Sequence, residues 1–198
     1  MTAFFMRYCK KLSNLWGWGL LLLLLGMFSL AIAAESSIRI KSAELEPLDG
    51  FYSLSADAEM SFDKEIEEAV NKGVPLSFLI EFQIVRPRKY WFDDEIVTTS
   101  QEVTLSYHAL SRQYLVNRGA HQQSFEGLSE AAQALGQIDE WKVVEKTDLE
   151  KGETYRAAML IRLDQTKLPK AIQVDTIGSE KWNLTSQKFE WTLKELNK

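Results

Sequence analysis

Apolar side chains recur at every second position along much of this chain, and a period of two belongs to strands, not helices. The clearest run covers residues 76–85. Leu76, Phe78, Ile80, Phe82 and Ile84 share one side, and the mixed set Ser77, Leu79, Glu81, Gln83 and Val85 takes the other. One face in a core and one facing water is the pattern of an antiparallel sheet. Pro87 has no N–H for a ladder, so it ends this strand or sends it to an edge. The same alternation marks Ile38 and Ile40, then Tyr52, Leu54, Ala56, Ala58 and Met60; Asp49-Gly50 between them predicts a hairpin turn. A further strand is expected over 96–107 through Val103, Leu105 and Tyr107, and Tyr114 and Val116 continue the pattern after a connection at 109–112. Strands this close in sequence suggest an antiparallel meander. Tyr155, Ala157, Met159, Ile161 and Leu163 mark another strand, Leu168-Pro169 breaks the chain, and Phe189, Trp191 and Leu193 mark a closing one.

Helical spacing occurs twice. Ser61 can cap a helix whose face is Phe62, Ile66, Ala69 and Val70, with Gly73 and Pro75 stopping it. Ser124 precedes a second helix with the stripe Phe125, Leu128, Ala132 and Leu135, ended by Gly136. No repeat, low-complexity tract or long linker divides the chain. The expected fold is mainly β (α+β): an antiparallel sheet or sandwich with two short helices packed on it.

Residues 15–34 carry no charge, follow Arg7, Lys10 and Lys11, and close on Ala31-Ile32-Ala33-Ala34. A cationic start, an apolar run and an A-x-A exit form a secretory signal. The run is also long enough for a spanning helix, which needs about 20 residues. Gly17, Gly19 and Gly26 weaken that helix, and Ala31 and Ala33 suit a peptidase. The alternatives are thus a cleaved signal or a retained membrane anchor over residues 1–34. Either way the basic start stays in the cytoplasm, and one β-rich domain over 35–198 is expected outside it. Cutting after Ala33 leaves 165 of the 198 residues, enough for one core. That part carries 20 basic against 28 acidic residues, a net of −8. An acidic surface argues against nucleic acid and anionic headgroups as partners. The sole cysteine, Cys9, precedes the apolar run, so the exported part has no disulfide, thiolate metal site or cysteine nucleophile.

No phosphate loop, HExxH, CxxC pair or G-x-S-x-G elbow is present, so no enzyme class and no cofactor is implied. His108 and His121 with Asp93, Asp94 or Glu95 are the residues from which a zinc site or hydrolase would have to be built. Solvated loop histidines account for them as well. Asp93-Asp94-Glu95 resembles a carboxylate pair for glycoside or calcium chemistry, yet adjacent acids on an extended chain point apart. A solvated charged turn fits better. Asn183-Leu184-Thr185 is a formal N-glycosylation acceptor, a match without meaning if the protein is bacterial.

The most unusual stretch is Arg86-Pro87-Arg88-Lys89-Tyr90-Trp91-Phe92-Asp93. It reads in two ways. Aromatic anchors beside arginines form protein-contact hot spots, or a surface that stacks sugar. Alternatively the aromatics alternate into the core while the arginines pair with nearby acids or stack on rings. The partner-binding candidates are Arg86, Arg88, Tyr90, Trp91, Phe92 and Asp93.

Arg86-Pro87-Arg88 with Tyr90-Trp91-Phe92-Asp93 resembles the hallmark of an uncharacterised proteobacterial exported-protein family, domain of unknown function 4390. Leu105-Ser106-Tyr107 followed by Leu110-Ser111-Arg112-Gln113-Tyr114 resembles a second hallmark. Ser124-Phe125, Trp141, Gly152-Glu153-Thr154-Tyr155, Leu168-Pro169 and Trp182-Asn183-Leu184 are similar to later markers. The resemblance covers residues 38–193 and transfers no catalytic residue. It implies exported or singly anchored proteins of Gram-negative bacteria. Their genes often lie beside those of a nitrogen-regulation-type membrane sensor kinase and a ribosomal RNA methyltransferase. The resemblance also implies a small polar residue where this chain has His108. Taken together, these readings lead us to expect a non-enzymatic periplasmic accessory that binds a membrane sensor kinase or another envelope protein. A carrier of an apolar small ligand, enclosed by an aromatic-rich sandwich, is the alternative.

Overall fold

β1 (Ser37–Leu48) and β2 (Phe51–Ser61) form the expected hairpin. Asp49 and Gly50 both take positive φ, 41° and 90°. Two-residue hairpin turns need that combination, and Asp-Gly adopts it with little strain. The structure is a computed structural model that describes residues 36–150, 152–176 and 180–193. The leader at 15–34 lies outside the described residues. Among those described, no helix is long and apolar enough to cross a membrane.

α1 (Lys64–Asn71) follows, with one correction. Its N-cap is Asp63, whose Oδ1 accepts the Ile66 N–H at 2.9 Å, while Ser61 stays in β2 opposite Ser37. Phe62 therefore precedes the helix, and the buried helical positions are Ile66 and Val70. The chain then runs through β3 (Leu76–Arg86), β4 (Asp94–His108), β5 (Gln113–Arg118) and β6 (His121–Phe125). After these come α2 (Leu128–Gly136), β7 (Gln137–Glu145), β8 (Tyr155–Leu163), α3 (Lys170–Thr176) and β9 (Phe189–Leu193). Every pairing is antiparallel. One sheet has the order β1-β2-β7 and the other β6-β5-β4-β3-β8-β9, so β3 to β5 make the expected meander and β6 extends it.

The two sheets bury their apolar faces against each other. Leu76, Phe78, Ile80, Phe82 and Ile84 of β3 are all buried in one cluster with Leu54, Ala56 and Ala58 of β2. Phe82 meets Trp141 of the smaller sheet edge-on, with ring centroids 6.4 Å apart. The outer side of β3 faces away from this core and is half-buried at Leu79, Glu81, Gln83 and Val85. Among the described residues the buried polar side chains are paired. Ser186 Oγ, for example, accepts the Ile161 N–H at 3.0 Å and extends the β8 edge where β9 has not yet begun. Trp182 is buried, and its indole N–H reaches Glu65 Oε1 at 3.2 Å, tying residues 180–182 to the first turn of α1.

Three elements go beyond the expectation. His121–Phe125 is an edge strand, not a loop, although four of its five residues are exposed. Gln137–Glu145 leaves α2 directly as a strand, and Glu140 at φ 47° interrupts its alternation. Pro169 opens a helix as well as breaking one. Its carbonyl accepts the Ile172 and Gln173 N–H groups at 2.9 and 3.0 Å, because a proline loses nothing at a helix start.

Candidate interaction loop

Residues 86–94 form the connection between β3 and β4. Arg86 and Asp94 are cross-strand partners at its base, and Arg86 Nη2 donates to Asp94 Oδ2 at 2.9 Å. The other end of that guanidinium lies 3.4 Å from Glu150 Oε1. Arg88 also donates to Asp94 Oδ2, and Arg156 of β8 donates to Asp93 Oδ2. The Arg88 N–H reaches Asp93 Oδ1 at 3.3 Å, and Glu95 accepts from Gln83 Nε2 at 3.4 Å. The three adjacent acids are thus not merely solvated. Asp93 and Asp94 share Arg88 and reach Arg156 and Arg86 respectively, which staples the loop to β8 and β3.

The aromatics do the opposite of what alternation into a core requires. Tyr90, Trp91 and Phe92 are 82%, 80% and 94% exposed, the largest exposed hydrophobics among the described residues apart from Leu110. The core reading of this stretch is therefore overturned for its rings, while its ion-pairing half is what the structure shows. The physical reason is that residues 87–93 are not strand. With no ladder there is no inward face, and the ion pairs hold the base of the loop. Lys89 Nζ sits 5.5 Å from the Tyr90 ring centroid. Exposed charge pairs individually contribute little, but here one carboxylate takes two guanidinium groups, and hydrogen bonds from Arg86 and then Arg88 hold Asp94 below the usual carboxylate range.

That depression sets a pH dependence. A carboxyl whose folded pKa lies below its unfolded value, roughly 4, stabilises above that value and loses the contribution as pH falls through the folded pKa. The stapling is therefore expected to be constant from neutral pH to about 5 and lost in stronger acid. In melting experiments, Asp94→Asn should lower the Tm at pH 7, and the gap from the parent should close as the pH falls through and below the ordinary carboxylate range. A gap that stays constant with pH would show that the Asp94 charge does not hold the loop.

The histidines do not join this site. His108 ends β4, opposite Gln113, with Nδ1 2.9 Å from Ser111 Oγ; His121 opens β6, opposite Arg118. The length of β5 separates them, about 17 Å at a strand's rise, and His108 and Asp94 lie at opposite ends of β4. Among the described residues no three His, Cys, Asp or Glu side chains gather as a metal site. Sequence reasoning missed Arg156 and Glu150, which complete the staple. They lie far along the chain, and only the β3–β8 pairing brings Arg156 opposite Val85.

Comparison with protein families finds the model of the domain of unknown function DUF4390 matching residues 35–192. No curated protein and no solved structure matches.

Proposed function

The chain belongs to the DUF4390 family, a domain of unknown function, and we propose that it is a non-enzymatic periplasmic module that grips an envelope protein, a membrane sensor kinase foremost, through residues 90–92. The observation that carries this is the exposure of three consecutive large rings on a loop pinned by ion pairs at its base. Covering an aromatic ring gains roughly 1.5–3 kcal/mol. A pinned loop loses little freedom on binding, and rings beside arginines are the composition of contact hot spots. Other residues that carry the family resemblance, such as Tyr155, Leu168, Trp182 and Leu184, are buried and explained by packing. The three rings have no such explanation. The tip also lies at the far end of β3 from Leu76. The chain enters the sandwich near the Leu76 end: Ser36 Oγ accepts the Asp63 N–H at 2.7 Å. A partner held by the tip therefore stands clear of that entry point.

The test is a photo-crosslinking residue at position 90 of the full chain, expressed in its native host. One envelope protein is expected to be captured, and Trp91→Ala should remove at least about nine-tenths of the adduct. The Tm of Trp91→Ala should stay within the small range of surface substitutions, about 0.5 kcal/mol in stability, because the ring is largely exposed. Adducts to lipid alone, or none, would refute the reading. So would an adduct that Trp91→Ala leaves intact.

A further inference from the structure

A groove of about 730 Å³ crosses the outer face of the six-stranded sheet, on the side away from the core. The register explains it. Thr98, Gln83, Ala158 and Glu190 lie in one cross-strand row, and Ser100, Glu81 and Leu160 in the next. Ala158 has only a methyl group where its neighbours in the row have long side chains, so the surface dips there. A second depression of about 270 Å³ shares Gln83, Ala158 and Lys188 with the first and leads on to the exposed ring of Phe92. From Leu160 to Arg156, which lines the second depression, the path along β8 is about 13 Å.

The charges that line the first groove are already matched. Arg162 donates to Glu81 Oε1 through Nε at 3.0 Å and Nη2 at 2.8 Å. Lys188 lies 2.7 Å from Glu190, and Arg156 is bonded to Asp93. In the second depression Glu95 has the Gln83 amide as its partner, while the first groove holds no uncompensated charge and has Ala158 and Leu160 as apolar contacts. What the groove offers is neutral hydrogen bonding: the exposed hydroxyls of Thr98 and Ser100, the Gln83 amide, and the edge of a fixed Glu81–Arg162 pair. At one end stands an aromatic ring. Hydroxyls, an amide and a ring platform complement a pyranose chain, which carries hydroxyls at its rim and C–H groups on its faces.

We propose that this groove binds a short, neutral glycan chain. Of the three tip rings only Phe92 borders it, while Tyr90 and Trp91 do not, so Trp91→Ala separates this inference from the protein contact assigned to the tip.

The test uses the full chain in a detergent without a sugar headgroup, with maltotetraose and tetra-N-acetylchitotetraose as probes. Saturation-transfer NMR is expected to show one of them bound, with a dissociation constant in the millimolar range or tighter. Ala158→Trp, which fills the dip, should weaken that binding at least about ten-fold. As that variant strains the sheet if its ring cannot stand clear, Thr98→Val with Ser100→Ala provides an independent check. It removes both hydroxyls and should weaken binding comparably at an unchanged Tm. Trp91→Ala should leave sugar binding intact. The proposal is overturned if neither sugar binds at about 10 mM, or if binding survives in both groove variants. It is equally overturned if only a sulfated oligosaccharide binds, or if sedimentation shows a dimer that Ala158→Trp converts to monomer, since a second copy would then be the occupant.

Discussion

Gly136→Ala is expected to destabilise the domain by about 3 kcal/mol, at the upper end of what overpacking costs. Helix propensity alone predicts the reverse, since alanine is favoured over glycine in a helix by about 0.5–1 kcal/mol. Gly136 is the buried last residue of α2, and a methyl group built on it overlaps the backbone carbonyl of Ala58. That carbonyl cannot easily yield. Ala58 lies within β2, held by β1 through the Ile40 pairing, and β7 pairs with the adjacent Ala56 and Asp57. Relief therefore means shifting a helix against a sheet. Urea unfolding of the full chain should show a lower midpoint at unchanged slope, and a thermal scan a Tm lower by about 10 °C. An unchanged or raised Tm would mean that α2 does not approach β2 this closely.

Phe82→Ala is expected to cost about 4 kcal/mol, within the range for removing a buried phenylalanine. The ring is fully buried on β3 and lies between the sheets, 6.4 Å from Trp141 and 6.1 Å from Trp191 by centroid. Its loss opens a cavity where β3, β7 and β9 meet, and packing from three strands cannot close on it without moving the sheets. Both tryptophans should become wetter, so the fluorescence maximum should shift to the red together with the fall in stability. A cost below about 1 kcal/mol would show that the sheets do not meet at this ring. Set beside Trp91→Ala, the pair separates two kinds of aromatic: one whose removal costs stability and one whose removal costs a contact.

Much of the architecture could be read from residue order. Seven strands announce themselves by alternation or by the Asp49-Gly50 turn, because a strand's side chains point to opposite faces whatever surrounds them. β6 escaped because His121, Gln122, Gln123 and Ser124 are polar on both faces. It exists because β5 would otherwise be an open edge with unpaired backbone groups. β7 escaped because Glu140 at positive φ and two shifts of register against β2 place Ile138 and Val143 out of step. The first cap was misplaced by two residues: Ser61 and Asp63 are both good capping types, and β2 claims the serine for its ladder.

The candidate loop divides in the same way. Its residues stood out in the sequence as a cluster of bases, rings and acids. The partners of its ions did not, since Arg86 faces Asp94 only after β3 folds back on β4, and Arg156 arrives from β8. Local covalent geometry, which every residue carries with it, determined where strands run and which side of each is apolar. The tertiary structure alone decided that Tyr90, Trp91 and Phe92 stand in water and that Ala158 leaves a dip among polar neighbours. Exposure depends on which strands come to lie side by side, and that depends on pairings between residues far apart in the chain.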